Sequence, residues 1–284
     1  MTAGATDMTA APYAAPAAPR PARVSVADLA RMAATGRRIA MLTAYDASLA
    51  GVAERAGVDV LLVGDSLGMV VQGHPTTLPV TLADTLYHTR CVVAGCARPL
   101  AIADLPFGTF QGRAEDAYAA GVAALQAGAQ MVKVEGGAWM APTVEYLVRR
   151  GIPVCGHVGL TPQSVHTLGG FRVQGKSDAA AAAVVADAKA LAAAGCALLV
   201  VECVPRALGT RLTAEAGVPT IGIGAGPDCS GQVLVIHDAL GIQPGKPARF
   251  VRNFMSGHDS IEAALAAYVA AVRDGSFPAP EHCF

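Results

Sequence analysis

Residues 129–160 read AQMVKVEGGAWMAPTVEYLVRRGIPVCGHVGL, and this stretch contains the unit that decides the fold. Two short apolar runs, 129–137 and 152–160, flank a segment at 141–149 that we interpret as a helix. Neither run alternates apolar with polar residues as a half-solvated strand does, which is typical of parallel strands covered on both faces. The stretch therefore predicts a strand, a helix and a second parallel strand.

The same pattern recurs along the whole chain. Eight runs are interpreted as strands, at 38–46, 58–66, 99–107, 129–137, 152–160, 197–204, 218–224 and 233–238. Helices are predicted at 47–56, 82–94, 114–127, 141–149, 178–194 and 206–216, with Thr81 and Ser177 as N-caps. Between strands seven and eight there is room for little more than one helical turn.

Eight strands with intervening helices predict an α/β fold, a single-domain (β/α)8 TIM barrel. A helix at 25–34 precedes the barrel, and another at 259–273 follows it. Periodicity alone does not prove that the sheet closes, so an open doubly wound sheet stays the alternative.

Composition excludes several classes of protein. The 284 residues are 53% hydrophobic and only 15% charged, with 21 Lys and Arg against 22 Asp and Glu. Such a chain is not disordered over its main body, and it has no basic stripe for nucleic acid. Its apolar runs are broken before the roughly 18 residues that a spanning helix needs. We therefore expect neither a nucleic-acid nor a membrane partner.

Residues 1–23 are rich in Ala and Pro and lack the features of a secretory signal, so we interpret them as a disordered extension. Residues 24–284 are then the barrel, the catalytic domain. The seven cysteines form no CxxC pair and no regular framework, which favours reduced thiols in a cytoplasmic protein.

Ionisable and polar residues stand where the apolar runs stop, which is where parallel barrels place their active sites. These residues are Asp65, Ser66, Asp104, Lys133, Glu135, His157, Glu202, His237 and Asp238. Each one alone could be a helix cap or part of a structural ion pair. Their shared position at the strand ends favours a catalytic site.

The residue types indicate a chemistry. Asp65, Asp104 and Glu135 end neighbouring strands without cysteine or paired histidines beside them, which suits Mg²⁺. Lys133 and Glu135 lie two apart on one strand, so they point the same way, and the cation can bind an anionic substrate while the metal polarises its carbonyl. Glu202 ends a strand across the mouth and is free to act as a general base.

Two further patterns carry less information. Gly222-x-Gly224-x-Gly226 is similar to a phosphate-binding turn, but Pro227 stands in the last glycine position. Close backbone approach at the barrel rim is the favoured role. The loop 167–175 has the composition of a mobile lid or, equally, of a plain surface loop.

Several motifs together carry a family resemblance. They are VGDSLGM (63–69), QGH (72–74), TLPV (77–80), ADLPF (103–107), MVKVEGG (131–137), CGHVGLTPQS (155–164), ECVP (202–205) and IGIGAG (221–226). In this order, over nearly the whole chain after about Val24, they closely resemble the ketopantoate hydroxymethyltransferase family.

The resemblance implies a (β/α)8 barrel enzyme with 3-methyl-2-oxobutanoate hydroxymethyltransferase activity. Such an enzyme transfers a hydroxymethyl group from 5,10-methylenetetrahydrofolate to 3-methyl-2-oxobutanoate. The product is ketopantoate, and the reaction is the first step of pantothenate and coenzyme A biosynthesis. Bacterial members are cytoplasmic homodecamers. The implied partners are therefore a 2-oxo acid, a folate and further copies of the chain.

The resemblance also implies residue roles. Asp65 and Asp104 would ligate Mg²⁺, and Glu135 would complete that site directly or through a water. The 2-oxo acid would contact Asp65, Ser66, Asp104 and Lys133. Glu202 would accept the proton, and His157 would be a further pocket residue.

Two alternative functions are kept. The phosphoenolpyruvate mutase and isocitrate lyase group also places carboxylates on a barrel and uses Mg²⁺ with 2-oxo acids or related anions. A catalytically inactive, metabolite-binding barrel is the other, and it predicts that at least one of the four carboxylates is missing. All four are present.

Overall fold

The computed structural model describes residues 22–243 and 245–284, which contain a closed barrel of eight parallel strands. The strands are β1 (Ile39–Thr43), β2 (Val60–Val63), β3 (Leu100–Asp104), β4 (Met131–Glu135), β5 (Val154–Gly159), β6 (Leu198–Glu202), β7 (Thr220–Ile223) and β8 (Gly231–Leu234). Each strand pairs with its neighbours in the sequence, and β1 also pairs with β8. The predicted (β/α)8 barrel is confirmed, and the open sheet is not formed.

Helices surround the barrel. They are α1 (Val26–Ala34), α2 (Ala47–Arg55), α3 (Leu67–Val70), α4 (Leu82–Gly95), α5 (Ala114–Gln126), α6 (Ala141–Val148), α7 (Asp178–Ala193), α8 (Arg206–Glu215), α9 (Ile236–Ala239) and α10 (Ile261–Asp274). Short 3₁₀ turns lie at Ala138–Met140, Pro162–Ser164 and Pro280–His282. The predicted caps Thr81 and Ser177 accept hydrogen bonds from the backbone N–H groups of Asp84 and Ala180.

The core has an inner and an outer layer. Inward side chains such as Met41, Ile102 and Met131 fill the barrel, and Leu29 and Met32 of α1 pack against this inner layer. Outward side chains of the same strands pack against the surrounding helices. Both faces of every strand are therefore covered, which explains why the strands lack an apolar–polar alternation.

The prediction for the eighth strand, 233–238, was wrong. The strand runs from Gly231 to Leu234, and the chain then enters α9. Gly231 pairs so closely with β1 that a Cβ there would lie 2.3 Å from the carbonyl oxygen of Ile39. Beyond the strand, the Ile236 N–H donates to Oγ1 of Thr43 at 2.9 Å instead of extending the ladder. His237 and Asp238 consequently lie on α9, not at a strand end.

Other expectations have mixed outcomes. The interpretation of residues 1–23 as a disordered extension lies outside the described residues, except for its last two positions. All seven cysteines are free thiols. Within 22–243 and 245–284, no helix combines the length and the hydropathy of a membrane span.

The glycine-rich rim is a place of close backbone approach, as expected. A Cβ on Gly224 would lie 2.9 Å from the Phe250 ring, and one on Gly226 would lie 2.8 Å from the Arg206 side chain. The neighbouring helix α8 comes closer still, because a Cβ on Gly209 would overlap the carbonyl oxygen of Ala225. This contact fixes α8 against the loop that follows β7.

We expect Gly209→Ala to lower the thermal unfolding midpoint. The alanine methyl group would meet backbone, so α8 must shift at a cost of about 1–3 kcal/mol, which exceeds the gain in helix propensity of about 1 kcal/mol. Gly121→Ala in α5 is the matched control, since its Cβ would meet side chains and not backbone, the nearest atom being Cδ1 at the flexible end of Ile152, 3.0 Å away. Equal midpoints for the two variants, measured by circular dichroism, would contradict the close approach.

Candidate active site

Strand register places the polar side chains next to one another. Asp104 pairs with Lys133 across β3 and β4, and Glu135 pairs with His157 across β4 and β5. On β4, Lys133 and Glu135 share the inward side with Met131, whereas the alternate residues pack outward against helices. The carboxyl end of the barrel therefore carries a layer of charge directly above its apolar interior.

Lys133 is the centre of this layer. Its Nζ donates to Oδ1 and Oδ2 of Asp104 at 2.8 and 2.7 Å and to Oε1 of Glu135 at 3.4 Å. Only 3% of the residue is exposed. Burial alone lowers the pKa of Lys133, but Asp104, Glu135 and Asp65 outweigh burial and raise that pKa above its usual range. The ammonium is therefore charged at any physiological pH.

Asp65 and Asp104 lie side by side. The Asp65 N–H donates to Oδ2 of Asp104 at 3.2 Å, and Oδ2 of Asp65 accepts from Nε2 of Gln163 at 3.0 Å. Burial, followed by the charges of Asp104 and Glu135, raises the pKa of Asp65 to about 8. Burial also raises the pKa of Asp104, against the opposing effect of Lys133. Lys133 alone therefore does not compensate the negative charges of both aspartates.

Glu135 is held by three groups. Oε1 lies 3.1 Å from Nδ1 of His157 and accepts from Lys133, and Oε2 accepts from the Gln163 N–H at 3.0 Å. Burial raises the pKa of Glu135, but Lys133 and His157 overcome burial and lower it to about 2. Glu135 is an anion whose two oxygens are both engaged with protein donors.

His157 links Glu135 to Glu202. Its Nε2 lies 3.2 Å from Oε2 of Glu202, an ion-pair distance that lacks hydrogen-bond alignment. Burial and Lys133 lower the pKa of His157, but Glu135 and Glu202 outweigh them and raise it to about 9. His157 is therefore an imidazolium at neutral pH, with a carboxylate facing each ring nitrogen.

One cavity of about 570 Å³ opens at this end of the barrel, a size typical of small-molecule sites. Of the nine residues predicted from the strand ends, His237 does not line it, whereas seven do from the ends of β2 to β6: Asp65, Ser66, Asp104, Lys133, Glu135, His157 and Glu202. Phe171 and Val173 show that the loop 167–175 forms part of its wall. Asp238 also lines the cavity, although it reaches it from α9.

Sequence reasoning missed Gln163 as a site residue. Its side-chain amide donates to Asp65 and to the Leu105 carbonyl, both at 3.0 Å, while its backbone N–H donates to Glu135. Gln163 lies on a 3₁₀ turn after β5, so no apolar run marks its position. The only signal was its place near the end of the motif at 155–164.

The predicted metal ligands Asp65, Asp104 and Glu135 all line this cavity. In the described part of the chain, no cluster of three or more His, Cys, Asp or Glu side chains has the geometry to hold a metal ion. Both oxygens of Asp104 accept from Lys133, both oxygens of Glu135 are engaged, and Oδ2 of Asp65 accepts from Gln163. Mg²⁺ accepts one or two protein carboxylates when water and substrate supply its other ligands, so this ligand set stays a prediction.

Comparison with solved structures identifies shared architecture. Phosphonopyruvate hydrolase superposes with a TM-score of 0.58 at 16% identity, covering 76% of this chain and 83% of that one. For 2,3-dimethylmalate lyase the TM-score is 0.54 at 17% identity, covering 76% and 82%. These similarities show the barrel fold alone.

Comparison with known sequences goes further. A family model described as ketopantoate hydroxymethyltransferase matches residues 23–280. Proteins named 3-methyl-2-oxobutanoate hydroxymethyltransferase include one from Aromatoleum aromaticum, 61% identical over 92% of this chain and 97% of its own length. Another, from Burkholderia multivorans, is 60% identical over 93% and 97%. The chain therefore belongs to the ketopantoate hydroxymethyltransferase family.

Proposed function

We propose that this enzyme transfers the one-carbon unit of 5,10-methylenetetrahydrofolate to 3-methyl-2-oxobutanoate. With water as the third reactant, the products are ketopantoate and tetrahydrofolate. The observation that carries the proposal is one cavity in which Glu202 faces a buried cluster of Asp65, Asp104 and Lys133. Relatives about 60% identical, which bear the name of this activity, support it.

The charges in the cavity fit a divalent cation. The cluster at the ends of β2 to β6 contains four carboxylates, Asp65, Asp104, Glu135 and Glu202, and two cations, Lys133 and His157. When all are ionised, two negative charges stay uncompensated in a buried place, which is costly. Asp65 and Asp104 would hold Mg²⁺, an ion that prefers oxygen ligands, and Glu135 would reach it through a water.

The 2-oxo acid binds beside this pair of aspartates. Bound Mg²⁺ supplies a Lewis acid that stabilises negative charge developing on the keto oxygen. The Lys133 ammonium attracts the substrate carboxylate. Ser66, whose Oγ lies 2.8 Å from the Tyr45 hydroxyl, is held in place to offer that substrate a hydrogen bond.

Glu202 accepts the C3 proton of the substrate. His157 holds its carboxylate by charge at 3.2 Å without occupying it in an aligned hydrogen bond, so an oxygen is open to the cavity. In the overall reaction, C3 loses its hydrogen and forms a bond to the methylene carbon of the folate. Both bonds from that carbon to folate nitrogen break, and water supplies the hydroxyl oxygen.

The competing functions have less support. The mutase and lyase group shares the barrel, but at identities that show architecture only. An inactive barrel does not explain why all four carboxylates meet in one cavity.

The cellular setting is part of the proposal. Large apolar side chains are exposed at Val71, Tyr87, Trp139, Ile242 and Ile261. Such residues suit subunit contacts, in line with the homodecamer implied by the family resemblance. Seven free thiols suit a reducing compartment, so we place the enzyme in the cytoplasm.

The direct test incubates purified enzyme with 3-methyl-2-oxobutanoate and 5,10-methylenetetrahydrofolate, with Mg²⁺ or with chelator. We expect ketopantoate, detected by mass spectrometry, only when the metal and both substrates are present. Cleavage of a 2-hydroxy dicarboxylate without folate-dependent product would instead establish the lyase function.

We expect Glu202→Gln to suppress exchange of the substrate C3 hydrogen with deuterated water by about 10²–10⁴-fold, because an amide is not a general base. Binding of 3-methyl-2-oxobutanoate, measured by calorimetry, should change little. Glu145→Gln is the control, since Glu145 forms a surface ion pair with Arg149. Undiminished exchange in Glu202→Gln would remove Glu202 from this role.

We expect the metal-free enzyme to lose stability as pH rises from 6.5 to 9. The folded pKa values of about 8 for Asp65 and about 9 for His157 exceed their ordinary values of 3.8 and 6.5, so the folded state holds the extra protons. Stability then falls by up to about 1.4 kcal/mol per pH unit for each such proton.

Thermal unfolding in chelator between pH 6 and 9 measures this slope. Asp65→Asn keeps an acceptor for Gln163 but removes the titration, so its slope between pH 6.5 and 8 should be flatter. Mg²⁺ should raise the midpoint of the unmodified enzyme more than that of the variant. A pH-independent midpoint in the unmodified enzyme would show that the pKa values of Asp65 and His157 are not raised in the folded state.

A further inference from the structure

The segment after β8 brings two hydrogen-bond acceptors into the cavity. Asp238 lies on α9, and Gln243 lies four residues beyond that helix. Among the described residues no donor reaches Oε1 of Gln243, which is buried. The half-buried carboxylate of Asp238 likewise has no hydrogen bond or ion pair among the described residues, and burial raises its pKa to about 6. Neither acceptor has a function in binding the 2-oxo acid.

The two acceptors occupy a different sector of the mouth from the charged cluster. The cluster comes from β2 to β6, whereas Asp238 and Gln243 follow β8, which pairs with β7 and β1. Apolar side chains of the same cavity come from β7, β8 and the chain beyond them, among them Ile223, Val233 and Phe250. A five-carbon acid does not need 570 Å³, so this sector is available for a second ligand.

The side chains of this sector indicate which kind of ligand it binds. Unpaired acceptors beside an apolar wall favour an occupant that brings N–H or O–H groups on a largely apolar body. A reduced pterin has both properties, because its ring N–H and exocyclic amino group lie side by side on a flat heterocycle. A carboxylate accepts such a pair of donors as it accepts the two parallel N–H groups of arginine.

We propose that Asp238 and Gln243 bind the donor edge of the pterin ring and so position the one-carbon donor for attack. This inference rests on the proposed function, which supplies the folate. Asp238 receives the paired N–H groups, and Gln243 receives a further ring N–H. Both are positioning residues, since neither exchanges a proton with the reacting carbon.

The rim of the same sector fits the rest of a folate. Lys246 and Arg249 line the cavity and are exposed. They are cations at the outer side of a site whose inner side offers acceptors. A pterin ring held at Asp238 therefore directs the anionic glutamate tail of the folate toward Lys246 and Arg249.

Steady-state kinetics on the Mg²⁺-loaded full-length enzyme test the assignment. Asp238→Asn should raise KM for 5,10-methylenetetrahydrofolate about ten-fold or more, because a charged hydrogen bond is lost. KM for 3-methyl-2-oxobutanoate and the folate-independent C3 exchange rate should stay within about two-fold. Asp259→Asn, at an exposed carboxylate outside the cavity, is the control, and Gln243→Met should show the same selectivity with a smaller effect.

Titration with 6-methyltetrahydropterin, which has no glutamate tail, separates the ring from the tail. Asp238→Asn should weaken its binding, whereas Lys246→Met should weaken folate binding alone. Unaltered affinity for this pterin in both Asp238→Asn and Gln243→Met would overturn the assignment, as would an equal rise in both KM values. If the unmodified enzyme exchanges C3 hydrogen but forms no ketopantoate, the proposed function fails, and the pterin titration still decides the binding site.

Discussion

The buried ammonium of Lys133 is the group on which the rest of the site depends. A cation in a barrel interior is stable only when anions surround it closely, and Asp104 and Glu135 do so from the neighbouring strand and from the same strand. Those carboxylates in turn need further partners: Gln163 and His157 engage Glu135, and the Asp65 N–H donates to Asp104. Removing Lys133 would leave two buried anions adjacent to Asp65. The charges are therefore stable as a group and not singly.

The parallel barrel explains how so small a cluster can be assembled. Residues paired across adjacent strands lie at one height, and alternate residues on one strand point inward together. Asp104, Lys133, Glu135 and His157 need no flexible loop to bring them together, because the strand ladder sets their positions. The apolar layer beneath them, with Met131 among its members, excludes water from one side. Low polarity on that side strengthens each interaction in the charged layer.

The sequence predicted the structure best where the burial of strands and the alternating direction of their side chains determine it. Short doubly buried runs predicted seven of the eight strands within a few residues, and the inward direction of Lys133 and Glu135 followed from their spacing. The eighth strand began earlier because Gly231 packs against Ile39 without a side chain, and hydropathy does not register such a contact. Gln163 was missed because it acts from a turn, where hydrogen bonds to distant carboxylates leave no periodic pattern. Strand position also placed Glu135 in the cluster but did not show that Lys133, His157 and Gln163 would all engage its two oxygens.

Solvent exposure distinguishes Glu202 from the other carboxylates of the cluster. Asp65, Asp104 and Glu135 are at most 4% exposed, and protein donors engage each of them. The side chain of Glu202 is 14% exposed, and among the described residues its one ion-pair partner is His157. A residue that takes a proton from carbon must later release it, which requires a route to solvent and freedom from tight hydrogen bonds. The same cavity thus contains buried carboxylates that organise charge and one accessible carboxylate that can take up and release a proton.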